Sequence, residues 1–173
     1  MRQPNSELMI RPAMRPDYEA IGQLTVETYV VEGHVPADSP YVEQLADTEN
    51  RAAAAEIIVA VRDAQILGSL TIARPGADYA DIARDGELEF RMLAVAKPAR
   101  GAGVGTALVR AVIETARAED FSAVVLTTMP SMGDARRIYE RLGFAHIPER
   151  DWHTPGGLRL TVMRHGLNET PVA

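Results

Sequence analysis

Between an apolar stretch ending at Val95 and a helix-patterned stretch opening at Val104, the chain reads Lys97-Pro-Ala-Arg100-Gly101-Ala102-Gly103-Val104-Gly105. Three alternate glycines remove side chains where a strand hands over to a helix, so main chain can approach a ligand closely there. The first-turn amides of the following helix have no internal partners, and the helix dipole makes that end slightly positive. Together these features form an anion site, and the usual anion is phosphate or pyrophosphate. Arg100 adds a guanidinium that can donate a charge-assisted hydrogen bond. The plain alternative is a tight connection that binds nothing. Two nucleotide-binding patterns fit poorly. A Walker loop needs Gly-Lys-Ser or Gly-Lys-Thr, whereas Thr106 directly follows Gly105. A Rossmann fingerprint needs glycine at position 106 and an acidic residue ending the next strand, which ends Leu126-Thr127-Thr128.

The rest of the chain supplies a frame for that turn. Leu8 to Arg11 reads as an edge strand stopped by Pro12. Asp17 stands where an N-cap would, and Ile21, Leu24 and Thr28 share one face, which predicts a helix over 18–31 broken by Gly33 and Pro36. Ser39-Pro40 is a second helix start, followed by a weakly patterned stretch to Ala55. Glu56 to Val61 is a β-branched run and reads as a buried strand. Asp63-Ala64 is a tight turn into a strand at 66–73, a loop follows at 74–86, and 88–95 is again a strand. Val104, Ala107, Leu108, Ala111 and Val112 keep helical spacing. After a strand at 123–128, Ser131 to Asp134 resembles a capping box opening a helix that ends at Leu142, with Gly143 as a left-handed C-cap. Phe144–Ile147 and Leu158–Met163 read as the last strands. No internal repeat or linker divides the chain, so 1–173 reads as one domain with a core at about 8–164 and short polar tails.

Composition narrows the function. A net charge of −6 argues against a nucleic-acid binder, which usually carries a basic excess. The chain has no cysteine, which excludes disulfides, thiolate metal sites and cysteine nucleophiles. The longest apolar run is Ile57 to Val61, so neither a membrane span nor a secretion signal is expected, and the cytoplasm is the default location. His34, His146, His153 and His165 are scattered, and no metal site is expected. Ser69 lies in no nucleophile elbow, and Asp78, Asp81 and Asp85 read as a solvated face rather than a calcium loop.

The stretch Glu87 to Leu108, ELEFRMLAVAKPARGAGVGTAL, resembles the signature of the GNAT superfamily of acyl-CoA-dependent N-acetyltransferases. In that family's loop an Arg or Gln precedes two residues, a glycine, one residue, and Gly or Ala; Arg100, Gly103 and Gly105 match it. Asp134 to Phe144, DARRIYERLGF, resembles the family's later helix, whose tyrosine is followed by Leu-Gly-Phe. One position departs: where many members have asparagine three residues before the alanine at 135, this chain has Met132. The resemblance implies an α/β fold with a mixed, mostly antiparallel twisted sheet of about seven strands flanked by about four helices.

It also implies a chemistry. Leu93, Ala94 and Val95 would lie beside pantetheine, and Arg100, Gly101, Ala102, Gly103, Val104, Gly105 and Thr106 would wrap the pyrophosphate of acetyl-CoA. A main-chain amide near Val95 would polarise the thioester carbonyl. A free amine has a pKa near ~10.4, so a base must take its proton. By resemblance that base is Glu89, with Glu87 two residues earlier, or water alone, as the reserve; a salt bridge of Glu89 with Arg91 is the structural alternative. Tyr139 matches the family's general acid, or is simply a packed aromatic. Tyr29, His34 and Trp152 are the candidate acceptor contacts. The expected activity is acetyl transfer from acetyl-CoA to a primary amine of a small molecule or peptide, without metal; the family also admits a homodimer. The competing reading is a catalytically silent acyl-CoA-binding sensor.

Overall fold

The computed structural model describes residues 6–167; the polar tails at 1–5 and 168–173 lie outside the described residues. The strands are β1 Met9–Pro12, β2 Glu56–Arg62, β3 Gln65–Ala73, β4 Glu87–Val95, β5 Ala123–Thr128, β6 Ala145–His146, β7 Trp152–His153 and β8 Arg159–Gly166. The helices are α1 Tyr18–Val26, α2 Tyr41–Ala46, α3 Thr48–Ala54, α4 Val104–Ala118 and α5 Gly133–Arg141. Hydrogen-bonded strands follow the order β1-β2-β3-β4-β5-β8-β6, with β7 on β8. β4 and β5 run parallel, as a strand-helix-strand crossover through α4 requires. The mixed sheet is the expected one, with β7 as an additional short strand and one helix more than expected. Among the described residues no helix is long and apolar enough to cross a membrane.

Contacts divide the chain into two compact units, Met1–Thr71 with Met92–Leu108 and Ile72–Arg91 with Val109–Ala173. In the first, the β-branched run of β2 pairs antiparallel with β1, from Met9 opposite Val61 to Pro12 opposite Ile58. Ile57, Val59 and Val61 alternate onto one face and pack with Ile21 of α1, joined by Ala13, Tyr18, Ala52 and Ile66. Asp63 and Ala64 both have positive φ, 51° and 60°, the geometry of a two-residue hairpin turn into β3. The helix expected over 18–31 widens into a π-turn at Glu27–Val31 and stops at Gly33, whose φ is +85°. Asp17 does not cap α1 with its side chain; its carboxylate instead takes the Met14 amide and the Arg11 guanidinium, each at 2.7 Å. The stretch after Pro40 is two helices, because the Asp47 carboxylate accepts from the Asn50 amide at 3.1 Å and starts α3.

In the second unit β5 is the middle strand. It pairs with β4 from Glu87 opposite Ala123 to Glu89 opposite Val125, and antiparallel with β8 from Ala123 opposite Gly166 to Thr128 opposite Thr161. Phe90, Tyr139 and Phe144 meet edge to face, with ring centroids 5.7–6.1 Å apart. Met132, rather than the expected Ser131, is the N-cap of α5, and Asp134 pairs with Arg137 at 2.6 Å. Gly143 has φ +96° and ends α5 as expected.

Candidate active site

The first unit holds the glycine turn. Met92 has φ +56° in the middle of β4, an outlier for a bulky residue and a break in the regular pleat just before Leu93, Ala94 and Val95. After a 3-10 turn at Lys97–Ala99 the chain passes through Gly101 and Gly103, with φ +81° and +80°, and no atom lies within 4 Å of where a Cβ would stand at either. α4 then begins, its first bond running from the Ala107 amide to the Gly103 carbonyl at 3.0 Å. The amides of Gly103, Val104, Gly105 and Thr106 have no acceptor among the described residues. Gly68 of β3 lets the first turns of α4 come close: a Cβ there would stand 2.9 Å from Val104 Cγ1, 3.0 Å from Leu108 Cδ1 and 3.1 Å from the Ala94 carbonyl.

Side chains of the same unit reach this strand and loop. Tyr29, buried on the π-turn, donates its hydroxyl to the Leu93 carbonyl at 3.2 Å. Arg100 donates through Nε to the Val95 carbonyl at 3.2 Å, and both Nη atoms reach the two oxygens of Glu32. That bond is the main reason the Glu32 carboxyl sits below its ordinary value; His34 and Lys97 add smaller pulls.

The second unit holds the carboxylates and the tyrosine. Glu89 is 1 % exposed. Its Oε1 accepts from the amides of Ile82 at 2.8 Å and Ala83 at 2.9 Å, and its Oε2 from the Asp81 amide at 3.2 Å. Burial pushes its carboxyl above the ordinary value, against the downward pull of the three amides. Arg91 bonds Asp81 at 3.2 Å and the Tyr79 carbonyl at 2.9 Å, while Asp81 stays exposed, as expected. Glu87 differs from Glu89. Burial pushes it up, but Arg150, the Arg84 amide and Arg164 outweigh burial and hold it below its ordinary value. Arg150 reaches both Glu87 oxygens at 2.9 Å and Arg164 reaches one at 3.2 Å. Glu87 is therefore the centre of an ion-pair cluster, a poor starting point for a base. Tyr139 is buried, no described residue hydrogen-bonds its hydroxyl, and burial pushes its pKa well above the ordinary phenol value.

A cavity of about 580 Å³ opens beside the Glu89 cradle, lined by Asp81, Ile82, Arg84, Glu149, Arg150 and Trp152. The Trp152 indole nitrogen is buried and has no partner among the described residues. Trp152 is positioned by its neighbour Asp151, whose carboxylate bonds His146 at 2.9 Å, Arg159 at 2.7 Å and the Val162 amide at 3.0 Å.

The family model described as the acetyltransferase (GNAT) family matches residues 18–144, which include the turn, both glutamates and Tyr139. The chain belongs to this family. The GNAT domain is 36 % identical over 107 residues to an N-acetylaspartate synthetase of Danio rerio, a match covering 61 % of this chain and 36 % of that protein. It thus spans about a third of the length of the curated relatives it matches. Its fold matches an acetyltransferase of the GNAT family from Staphylococcus aureus, with TM-score 0.74 and 18 % identity, covering 94 % of this chain and all of that one. It also matches an N-acetyltransferase of the same superfamily from Kribbella flavida, with TM-score 0.68 and 29 % identity, covering 92 % of this chain and 98 % of that one.

Of the residues singled out by sequence, the GNAT domain brings Leu93, Val95, Arg100 and Tyr29 into one hydrogen-bonded group, with His34 near Glu32. Trp152 shares its cavity with Asp81 and Ile82, whose amides bind Glu89. Three features escaped the sequence reading: Glu32 on Arg100, the left-handed Met92, and the amide cradle of Glu89. Only the first carried a signal, an acid next to Gly33 at a helix end.

Proposed function

We propose that this GNAT domain transfers an acetyl group from acetyl-CoA to a primary amine. One observation carries the reading: four successive amides, Gly103 to Thr106, lack an acceptor beside the Arg100 guanidinium. A diphosphate needs that donor set, and the two left-handed glycines leave room for it. Acetyl-CoA supplies a thioester, an acyl group already activated toward amines.

This chain's residues then have separate tasks. Gly101 and Ala102 complete the turn, and Arg100 with Gly103, Val104, Gly105 and Thr106 holds the diphosphate. The main chain of Leu93, Ala94 and Val95 lies along the pantetheine, although the Leu93 and Val95 carbonyls each already accept one hydrogen bond. Glu89 takes the amine proton, by way of water because its oxygens are cradled; its raised pKa makes it a stronger base than an exposed carboxylate. Tyr139 keeps its proton at neutral pH and gives it to the departing sulfur.

The acceptor is assigned to the cavity beside Trp152. The Trp152 indole N–H and Arg84, which has no ion pair among the described residues, suit a carboxylate on the acceptor. Amino acids therefore head the substrate panel, and aspartate, named in the relatives, comes first. The test is free-thiol release from acetyl-CoA across amino acids, polyamines and peptide N-termini. Turnover with one class supports the enzyme. Tight coenzyme A binding without turnover of any amine points to the sensor, and no binding at all rejects both.

A further inference from the structure

We propose that Glu32 is a built-in competitor of the cofactor diphosphate, occupying the outward fork of Arg100 that the diphosphate must use. This rests on the reading of Arg100 as a diphosphate ligand.

A guanidinium offers donors in a fixed planar fork that fits a carboxylate or a phosphate in the same two-pronged way. In Arg100, Nε points back to the Val95 carbonyl and both Nη atoms go to the two Glu32 oxygens. One fork cannot serve both anions fully, and two anions on it repel each other.

Glu32 is held in place by more than this bond. Its amide donates to the Glu27 carbonyl at 3.2 Å, and the next residue, Gly33, donates to Val30 at 3.0 Å and turns the chain with φ +85°. The π-turn behind it carries Tyr29, whose hydroxyl grips Leu93. π-turns of this kind recur at functional positions in helices. The segment therefore presents an acid to the loop from a fixed position. Glu32 weakens cofactor binding, and a bound diphosphate unties this segment from the loop.

Calorimetric titration of the full chain tests this, with coenzyme A and with pantetheine, which lacks the diphosphate. Glu32→Gln is expected to tighten coenzyme A about three- to fivefold, the scale of a half-exposed ion pair, and to leave pantetheine unchanged. Glu32→Asp keeps the charge but shortens the reach, so it should tighten coenzyme A as well. In an Arg100→Gln background the gain from Glu32→Gln should vanish. The proposal is overturned if Glu32→Gln weakens coenzyme A or leaves it unchanged, or if its gain survives without Arg100. If Arg100→Gln alone leaves coenzyme A affinity intact, the diphosphate role of Arg100 falls and the Glu32 role with it. A gain from Glu32→Gln absent from Glu32→Asp reduces the effect to net charge and likewise overturns the pairing.

Discussion

Glu89 and Tyr139 lie on opposite faces of β4. Glu89 and Phe90 are consecutive in a pleated strand, so their side chains leave it in opposite directions, and Tyr139 packs on Phe90 with ring centroids 5.7 Å apart. The groups proposed as base and acid thus leave the strand on different sides.

This separation gives the two residues different pH signatures. Burial places the Glu89 carboxyl above its ordinary 4.5, and the proposed base acts in its ionised form. The rate should therefore rise with pH through a value higher than that of an exposed glutamate. Glu89→Gln is expected to cut kcat by roughly 10²-fold or more and to remove this acidic limb. A pH profile of kcat/KM checks it; an unchanged limb in the variant would assign the base elsewhere.

Tyr139→Phe removes only a hydroxyl and keeps the ring among Phe90 and Phe144. Thermal stability should barely move, while kcat falls about 10²-fold with the acidic limb intact. Because burial raises the phenol, its protonated form persists past the ordinary value of 10.0, so wild-type activity should show no loss from tyrosine ionisation near that pH. A variant with native kcat would leave Tyr139 as packing alone.

Gly68 links the packing of β3 to the cofactor turn. A methyl there would stand 2.9 Å from Val104 Cγ1 and 3.0 Å from Leu108 Cδ1 of α4, and 3.1 Å from the Ala94 carbonyl of β4. The side-chain tips can yield but the carbonyl cannot, so Gly68→Ala is expected to cost about 1–3 kcal/mol. Coenzyme A affinity should fall with it, since Ala94 and Val104 belong to the proposed cofactor site. Urea melts and calorimetry read the two effects; a stable variant with native affinity would show that the turn tolerates displacement.

The sequence made the turn, the strand before it and α4 legible because each is a local pattern: alternate glycines, a β-branched or apolar run, and a 3.6-residue stripe. It misplaced what depends on distant partners. Asp17 reads as a cap from its neighbours, yet Arg11 across the turn claims its carboxylate. Arg91 reads as the partner of Glu89, two residues away on the same face, and it does pull the Glu89 carboxyl down, yet it forms its ion pair with Asp81 of the 74–86 loop. Glu87 and Glu89 look interchangeable two residues apart on one face, and only the fold separates them, setting two arginines on one and three amides on the other. The positive φ of Met92 has no sequence signal, since the residue type disfavours it.

Asp151 should act as the acid-sensitive fastening of the loop that carries Trp152. Burial alone would raise its carboxyl, but the Val162 amide, Arg159 and His146 outweigh it and hold it at about 2, against an ordinary 3.8. Folding thus favours the ionised form, a contribution fully present above about pH 4 and lost as pH falls toward 2. Asp151→Asn is expected to lower stability by about 2 kcal/mol at pH 7, with the gap to the native protein closing on acidification. Urea melts at pH 7, 4 and 3 measure this. A gap that stays constant across that range would mean that the charge on Asp151 contributes nothing and that its hydrogen-bonding shape alone holds the loop.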